Sequence, residues 1–386
     1  MLEIFGPQGW FKNLEELSLP RLDTRCLESG VIPQFDLPRL RNFFLSTKPF
    51  YDIGAPDREE NPFQFDEDWD EYYSHPRPWD GLPDYLPGNA LPNSQSPLER
   101  FVWHSEDDCD YFNDEDWYWR GPTMESLRKQ LGTRDLKQVE VVVDYDDHEN
   151  GAEGVIAAPY QQNPFELFPA LEHVTIDEDD LRLLEPESQQ IKRLRVYGFG
   201  FTQYLFTLLG KPICSELESL HFVARGGYWG PETLDVPHTD LPQLKSLFLS
   251  WKLLGLFSNC QFTNLIQLLG HHSLKLVMER KWPKLQSLCV NIDSDDIPDL
   301  KAFAKSDCCP ELTTLTIVLG YGIRDELDIS FLANCPHMPF LSLIRIPDFP
   351  VSRDYIVDRV QVLPVRSDIM LDELTPMRSY HISAVF

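Results

Sequence analysis

The sequence is poor in positive charge. Lys and Arg number 34 against 62 Asp and Glu, which leaves a formal net charge of −28. Such a chain is repelled by nucleic-acid backbones and by anionic membranes. It suits a protein partner with a basic surface, and it serves plain solubility equally well. No apolar stretch approaches the 18 residues of a membrane span. Residues 1–15 hold no basic start followed by an apolar run, so no secretory signal is expected. None of the 8 cysteines is spaced as C-x-x-C, and no histidine pair lies beside them at zinc-finger distance. Reduced, mostly buried thiols of a cytoplasmic or nuclear protein are the expectation.

Catalytic signatures are also missing. Gly-x-Ser-x-Gly and Gly-x-x-x-x-Gly-Lys do not occur, which leaves no nucleophile elbow and no phosphate-cradling loop. Asp66, Asp68 and Asp70 start like a calcium loop. The loop fails at Glu71, where glycine is needed, and at Arg77, where glutamate is needed. Asp144-x-Asp146-x-His148 fails similarly at Glu149 and Val155. No metal site and no cofactor are expected.

What the chain does have is a returning phrase, Pro-x-Leu-x-x-apolar-x-apolar. It occurs at Pro38-x-Leu40, Pro169-x-Leu171, Pro242-x-Leu244, Pro283-x-Leu285, Pro310-x-Leu312 and Pro339-x-Leu341. The same mask without proline begins at Leu14, Leu98, Leu136, Ile191, Leu217 and Met377. Proline makes up 31 of 386 residues, so about one of these units should carry it at that position by chance. Apolar residues two apart share one face of a strand, so Leu247 and Leu249 point inward and Phe248 outward. Helix-compatible stretches lie between phrases at 201–209, 262–269 and 298–304. Strand, loop, helix, loop at this spacing predicts an α/β fold: an irregular leucine-rich-repeat-like solenoid. Its parallel strands line a concave face, and helices or loops form the convex face. The competing reading is an ordinary α/β domain with proline-started strands.

The solenoid is expected to span residues 1–386 as one body, with a proline-rich acidic and aromatic insertion at 50–96. The start-to-start interval of 58 residues between Leu40 and Leu98 leaves room for a lost unit. The asparagine or cysteine usual four positions after the last apolar residue is missing from every unit, so another device must hold the turns.

Two candidate surfaces follow. The outward strand positions predict a partner-binding concave face that includes Phe44, Glu140, Arg193, Arg195, His221, Phe248 and Arg345. Acids placed after strands predict a rim: Asp107, Asp108, Asp144, Asp146, Asp147, Asp177, Asp179, Asp180, Asp293 and Asp295. A stacked array would gather these into one stripe that steers a basic partner, or would simply keep the surface solvated.

At Cys309-Pro310-Glu311-Leu312-x-x-Leu315-x-Ile317 the chain resembles the leucine-rich repeats of F-box proteins. Asn334-Cys335-Pro336 is similar, and Leu14-Glu15-Glu16-Leu17 and Leu217-Glu218-Ser219-Leu220 resemble divergent fungal members. The resemblance implies repeats that capture a substrate, and an N-terminal F-box of about forty residues that docks the Skp1 adaptor of a cullin ubiquitin ligase. A repeat phrase already begins at Leu14, which leaves no space for that box, so Skp1 and cullin are expected only if an F-box is supplied. The functional expectation is a non-catalytic protein-protein interaction module, possible substrate-recognition part of such an adaptor. The alternative is an enzyme using clustered carboxylates near 104–147.

Overall fold

The structure is a computed structural model. It describes residues 13–23, 37–48, 96–107, 123–132, 135–147, 152–184, 189–198, 203–224, 238–249, 253–270, 272–292, 294–319, 343–347 and 361–365. All of the 50–96 insertion except residue 96, residues 108–122, and the last phrase, at Met377, lie outside these residues.

The described residues form an α/β structure organised by one fourteen-stranded sheet. Its strands are β1 (Glu16–Asp23), β2 (Asn42–Lys48), β3 (Arg100–Asp107), β4 (Gln138–Asp147), β5 (Ala152–Ala157), β6 (His173–Asp177), β7 (Arg193–Gly198) and β8 (Ser219–Ala224). They continue with β10 (Ser246–Leu249), β12 (Gln267–Gly270), β13 (Ser287–Ile292), β14 (Thr314–Leu319), β15 (Leu343–Pro347) and β16 (Gln361–Val365). Apart from β5, spatial order follows chain order, and every neighbour on that path is parallel. β5 folds back antiparallel on β4. Two-residue strands β9 (Thr239–Asp240) and β11 (Cys260–Gln261) form a small separate sheet. Short helices join the strands: α1 (Met124–Leu131), α2 (Pro164–Leu167), α3 (Gln203–Leu209), α4 (Leu274–Met278) and α5 (Ile297–Phe303). Among the described residues, no helix is long and apolar enough to cross a membrane.

The phrase proline has a definite job. The Leu40 N–H donates to the Leu37 carbonyl, and Leu171 to Phe168, Leu244 to Leu241, Leu285 to Trp282 and Leu312 to Cys309 follow the same pattern. Each bond closes a four-residue turn whose second residue is the proline, the position its fixed φ favours. The proline thus sits in the turn before the strand, not at the first position of the strand. Pro339 lies outside the described residues.

The leucine that closes each turn and the next two apolar positions are buried. Leu40, Phe43, Leu45, Leu244, Leu247 and Leu249 show the pattern, and one core cluster extends from Leu17 to Ile317. This core fills the space between one sheet face and the connecting segments. Their turns are closed by side chains rather than by an asparagine ladder. Arg128 donates to the Leu167 carbonyl, Gln189 to Pro169, and Asn264 to Pro242. Arg280 donates to the Phe257 and Cys260 carbonyls while lying over the Phe262 and Trp282 rings.

Three expectations are corrected. Residues 262–269 are not a helix: Leu265-x-x-Leu268-x-Gly270 is a further unit whose strand is β12. A glycine holds the second apolar position, which hid the unit from the mask. The φ of Gly270 is +118°, and a Cβ there would sit 1.9 Å from the Leu249 carbonyl oxygen, so only glycine lets β12 lie against β10. β2 pairs directly with β3 across the 58-residue interval, so no strand stands between these two in the sheet. The acids after Val143 are not in a loop. β4 runs on to Asp147 because Val142–Asp147 find a partner in β5, so Asp144, Asp146 and Asp147 belong to a two-stranded ribbon. Asp107 likewise ends β3, opposite Tyr145.

Candidate binding face

The second sheet face carries the side chains between the core positions, and the register sorts them into rows. One row reads Glu16, Asn42, Arg100, Gln138, His173, Arg193, Ser219, Ser246, Gln267, Ser287 and Thr314. Two residues further along the strands lie Ser18, Phe44, Val102 and Glu140. Beyond these, the same row holds Thr175, Arg195, His221, Phe248 and Leu269, then Cys289, Thr316 and Arg345. Six of the seven residues expected on the concave face therefore share this one face, Arg345 holds the matching register position in β15, and the sequence missed Leu269 together with its strand. The side chain of Arg345 lies outside the described set.

Sharing the face does not mean exposure. Phe44, Glu140 and Phe248 are buried, at 7%, 3% and 6% of their full accessibility. The expected open row is thus partly closed, because its side chains pack against one another. Phe248 belongs with Val142, Ala157, Tyr197 and Val223 to a second, small apolar cluster, with Leu269 against it. What stays accessible is polar: Arg193 is exposed, and Arg195, His221, His173, Gln138 and Arg100 are half-buried.

The centre of the face is a hydrogen-bonded network around Glu140. Its carboxylate pairs with Arg195, and it lies 3.3 Å from His104 Nε2. It also accepts from Gln138 Nε2 at 3.1 Å. Arg195 stands two strands from Glu140 and reaches it across β6, where the short Thr175 leaves room. Gln138 Oε1 in turn accepts from Arg100 Nε at 2.9 Å and faces His173 Nδ1 at 3.0 Å. Arg100 lies over the Phe44 ring, 5.3 Å from its centroid. Burial pushes the Glu140 carboxyl up, but Arg195, His104 and Gln138 outweigh it and hold it well below the usual carboxylate range. Burial, followed by Arg193 and Arg100, lowers His173 to about 4. Burial, then Arg195, lowers His221 to about 3. Both imidazoles are neutral at neutral pH, and His221 lies against the Phe248 ring at 5.6 Å.

A carboxylate fixed as an anion by an arginine does not exchange protons near pH 7, as a general base must. Among the described residues no group of three or more His, Cys, Asp or Glu is placed to hold a metal ion. His272 donates Nε2–H to the Leu269 carbonyl at 2.7 Å.

The described rim acids stand in separate places. Asp177 ends β6, Asp179 and Asp180 lie in the turn Glu178–Leu184, and Asp295 lies in the turn Ser294–Asp296 after β13. Strands β7, β8, β10 and β12 separate the two groups. Asp180 is tied inward, accepting from the Tyr160 N–H at 3.0 Å, and burial raises its pKa. Asp108 and Asp293 lie outside the described residues.

One charge pattern escaped the sequence reading. The residues immediately before the first row alternate in sign: Glu15, Arg41, Glu99, Lys137, Glu172, Lys192, Glu218, Lys245. Each donates its backbone N–H to the carbonyl of its predecessor in this row. Ion pairs join Arg41 to Glu99, Lys137 to Glu99, Lys192 to Glu172 and Lys245 to Glu218, at 2.8 to 3.1 Å. The signal is present in the second position of the first eight phrases, from Leu14 to Leu244, and stops at Gln286.

No known family model, curated protein or solved structure matches this chain.

Proposed function

We propose that the protein is a non-catalytic interaction module, a leucine-rich-repeat-like solenoid that binds a protein partner on the sheet face opposite its core. The single observation that carries the reading is the division of one long parallel sheet. Helices and turns seal one face along the whole core, while the other presents an accessible polar surface across successive strands. In such an array the strand concavity is the curved binding side. Mixed polar, arginine and aromatic character suits protein recognition. The sharper form is the substrate-recognition part of an F-box-type ubiquitin ligase adaptor, on the strength of the Cys-Pro-Glu-Leu phrase at Cys309. The net charge of −28 favours a partner that is basic overall.

Affinity purification of the tagged chain at low and at high salt, with bound proteins identified by mass spectrometry, tests this. Co-purifying Skp1 and cullin subunits support the adaptor form. A salt-sensitive basic partner without them supports a repeat-only binder. Turnover of a small substrate by the purified chain, with no protein bound at either salt, would overturn the reading.

A further inference from the structure

The centre of the sheet face reverses the sign of the molecule. Arg100, Arg193 and Arg195 converge there with the neutral His173 and His221. Arg193 acts electrostatically on Arg100, His173 and His221 alike. The carboxylates within this group are already committed: Glu140 to Arg195 and Glu172 to Lys192. Lys137, Lys192 and Lys245, one position earlier on the sheet, are each neutralised by a glutamate. The Arg193 guanidinium is exposed and makes no hydrogen bond or ion pair with any described side chain. A chain with 62 acids and 34 bases has carboxylates to spare, yet leaves this arginine open beside two other guanidiniums.

We propose that this patch is the anchor point for an acidic side chain of the bound protein segment, with Arg193 forming the charge-assisted pair to its carboxylate. The inference rests on the interaction-module reading and adds the chemistry of the ligand. A planar guanidinium takes a carboxylate through two parallel N–H donors. The half-buried His173 and His221 stand on the two neighbouring strands and shield the pair from part of the solvent. The surrounding negative field opposes a uniformly acidic ligand, so the anchor is a single acid within a neutral or basic segment.

The test is selection of a randomised twelve-residue peptide library on immobilised full-length protein and on its Arg193→Gln variant. Arg193 is exposed, so the variant is expected to fold, and an unchanged melting temperature checks this. Peptides enriched on the wild type should carry Asp or Glu at one fixed position, and that enrichment should vanish on Arg193→Gln. A synthetic enriched peptide should then bind the wild type roughly tenfold or more weakly after its own Glu→Gln change, the range of a charge-assisted hydrogen bond. Enrichment without a fixed acid, or the same acid on both proteins, overturns the anchor while leaving the interaction module standing. No enrichment on either protein counts against both.

Discussion

A Cβ added at Gly270 would lie 1.9 Å from the Leu249 carbonyl oxygen, and the residue's φ of +118° is one that other residues adopt only under strain. Gly270→Ala must therefore push β12 away from β10 or distort its own backbone. The expected cost is at least ~2 kcal/mol, read as a lower urea midpoint; a shift within 0.5 kcal/mol would contradict the geometry. The histidines give a second expectation at this scale. His173 and His221 sit near 4 and near 3, against 6.5 in the unfolded chain. Between those values the unfolded chain binds protons that the folded chain refuses, so stability rises with pH and is lost on acidification. Glu140 acts in the same direction below 4.5, since its folded carboxyl is depressed and its contribution fades as it protonates. Urea midpoints should thus fall from pH 7 towards pH 4.5, and His221→Phe should flatten part of that slope. A flat wild-type profile would show that the histidines are not buried as neutral groups.

At the scale of the elements, the alternating charges from Glu15 to Lys245 place a cross-strand ion pair at the start of successive strands. Exposed pairs contribute little to stability, about 0.5 kcal/mol each. They act more strongly on register, since a slipped strand would set like charges side by side. A double-mutant cycle of Glu172→Gln and Lys192→Gln should give a small favourable coupling that disappears in 1 M salt. A coupling of zero at low salt would mean the ladder is ornamental. The strands themselves were legible in the sequence because two apolar positions of period two bracket each outward residue. β12 was not, since Gly270 replaces the apolar residue. β16 was not either, since Arg359 stands where the phrase expects leucine and Pro364 where it expects an apolar residue. The helices, of four to eight residues, are too short to show a periodicity. The row holding Glu140 and Arg195 was legible, but their pairing was not. It depends on β5 leaving the path, which makes β6 the neighbour of β4. That row also looked more open than it is, because spacing along the chain says nothing of how Phe44 and Phe248 pack across strands.

For the whole molecule, the field and the face have opposite signs. The net charge of −28 acts at long range and would raise the encounter rate of a partner with a basic surface. In the proposed function the arginine patch acts at contact and selects what seats at the centre of the sheet. A single continuous core on the opposite side keeps successive strands in register, so the face offers a fixed spacing of about 4.8 Å between neighbouring rows of side chains. This arrangement predicts an asymmetric response to surface mutation: changes on the sheet face should alter binding, and changes on the helical side should not. The most direct measurement is quantitative affinity purification with three proteins, the wild type, Arg193→Glu on the sheet face and Lys275→Glu on α4. Both variants change the net charge equally and both positions are exposed. The partners of the wild type should be retained by Lys275→Glu and lost, by tenfold or more, by Arg193→Glu. Equal retention by both variants, or loss with Lys275→Glu alone, would contradict the assignment of the sheet face as the binding surface.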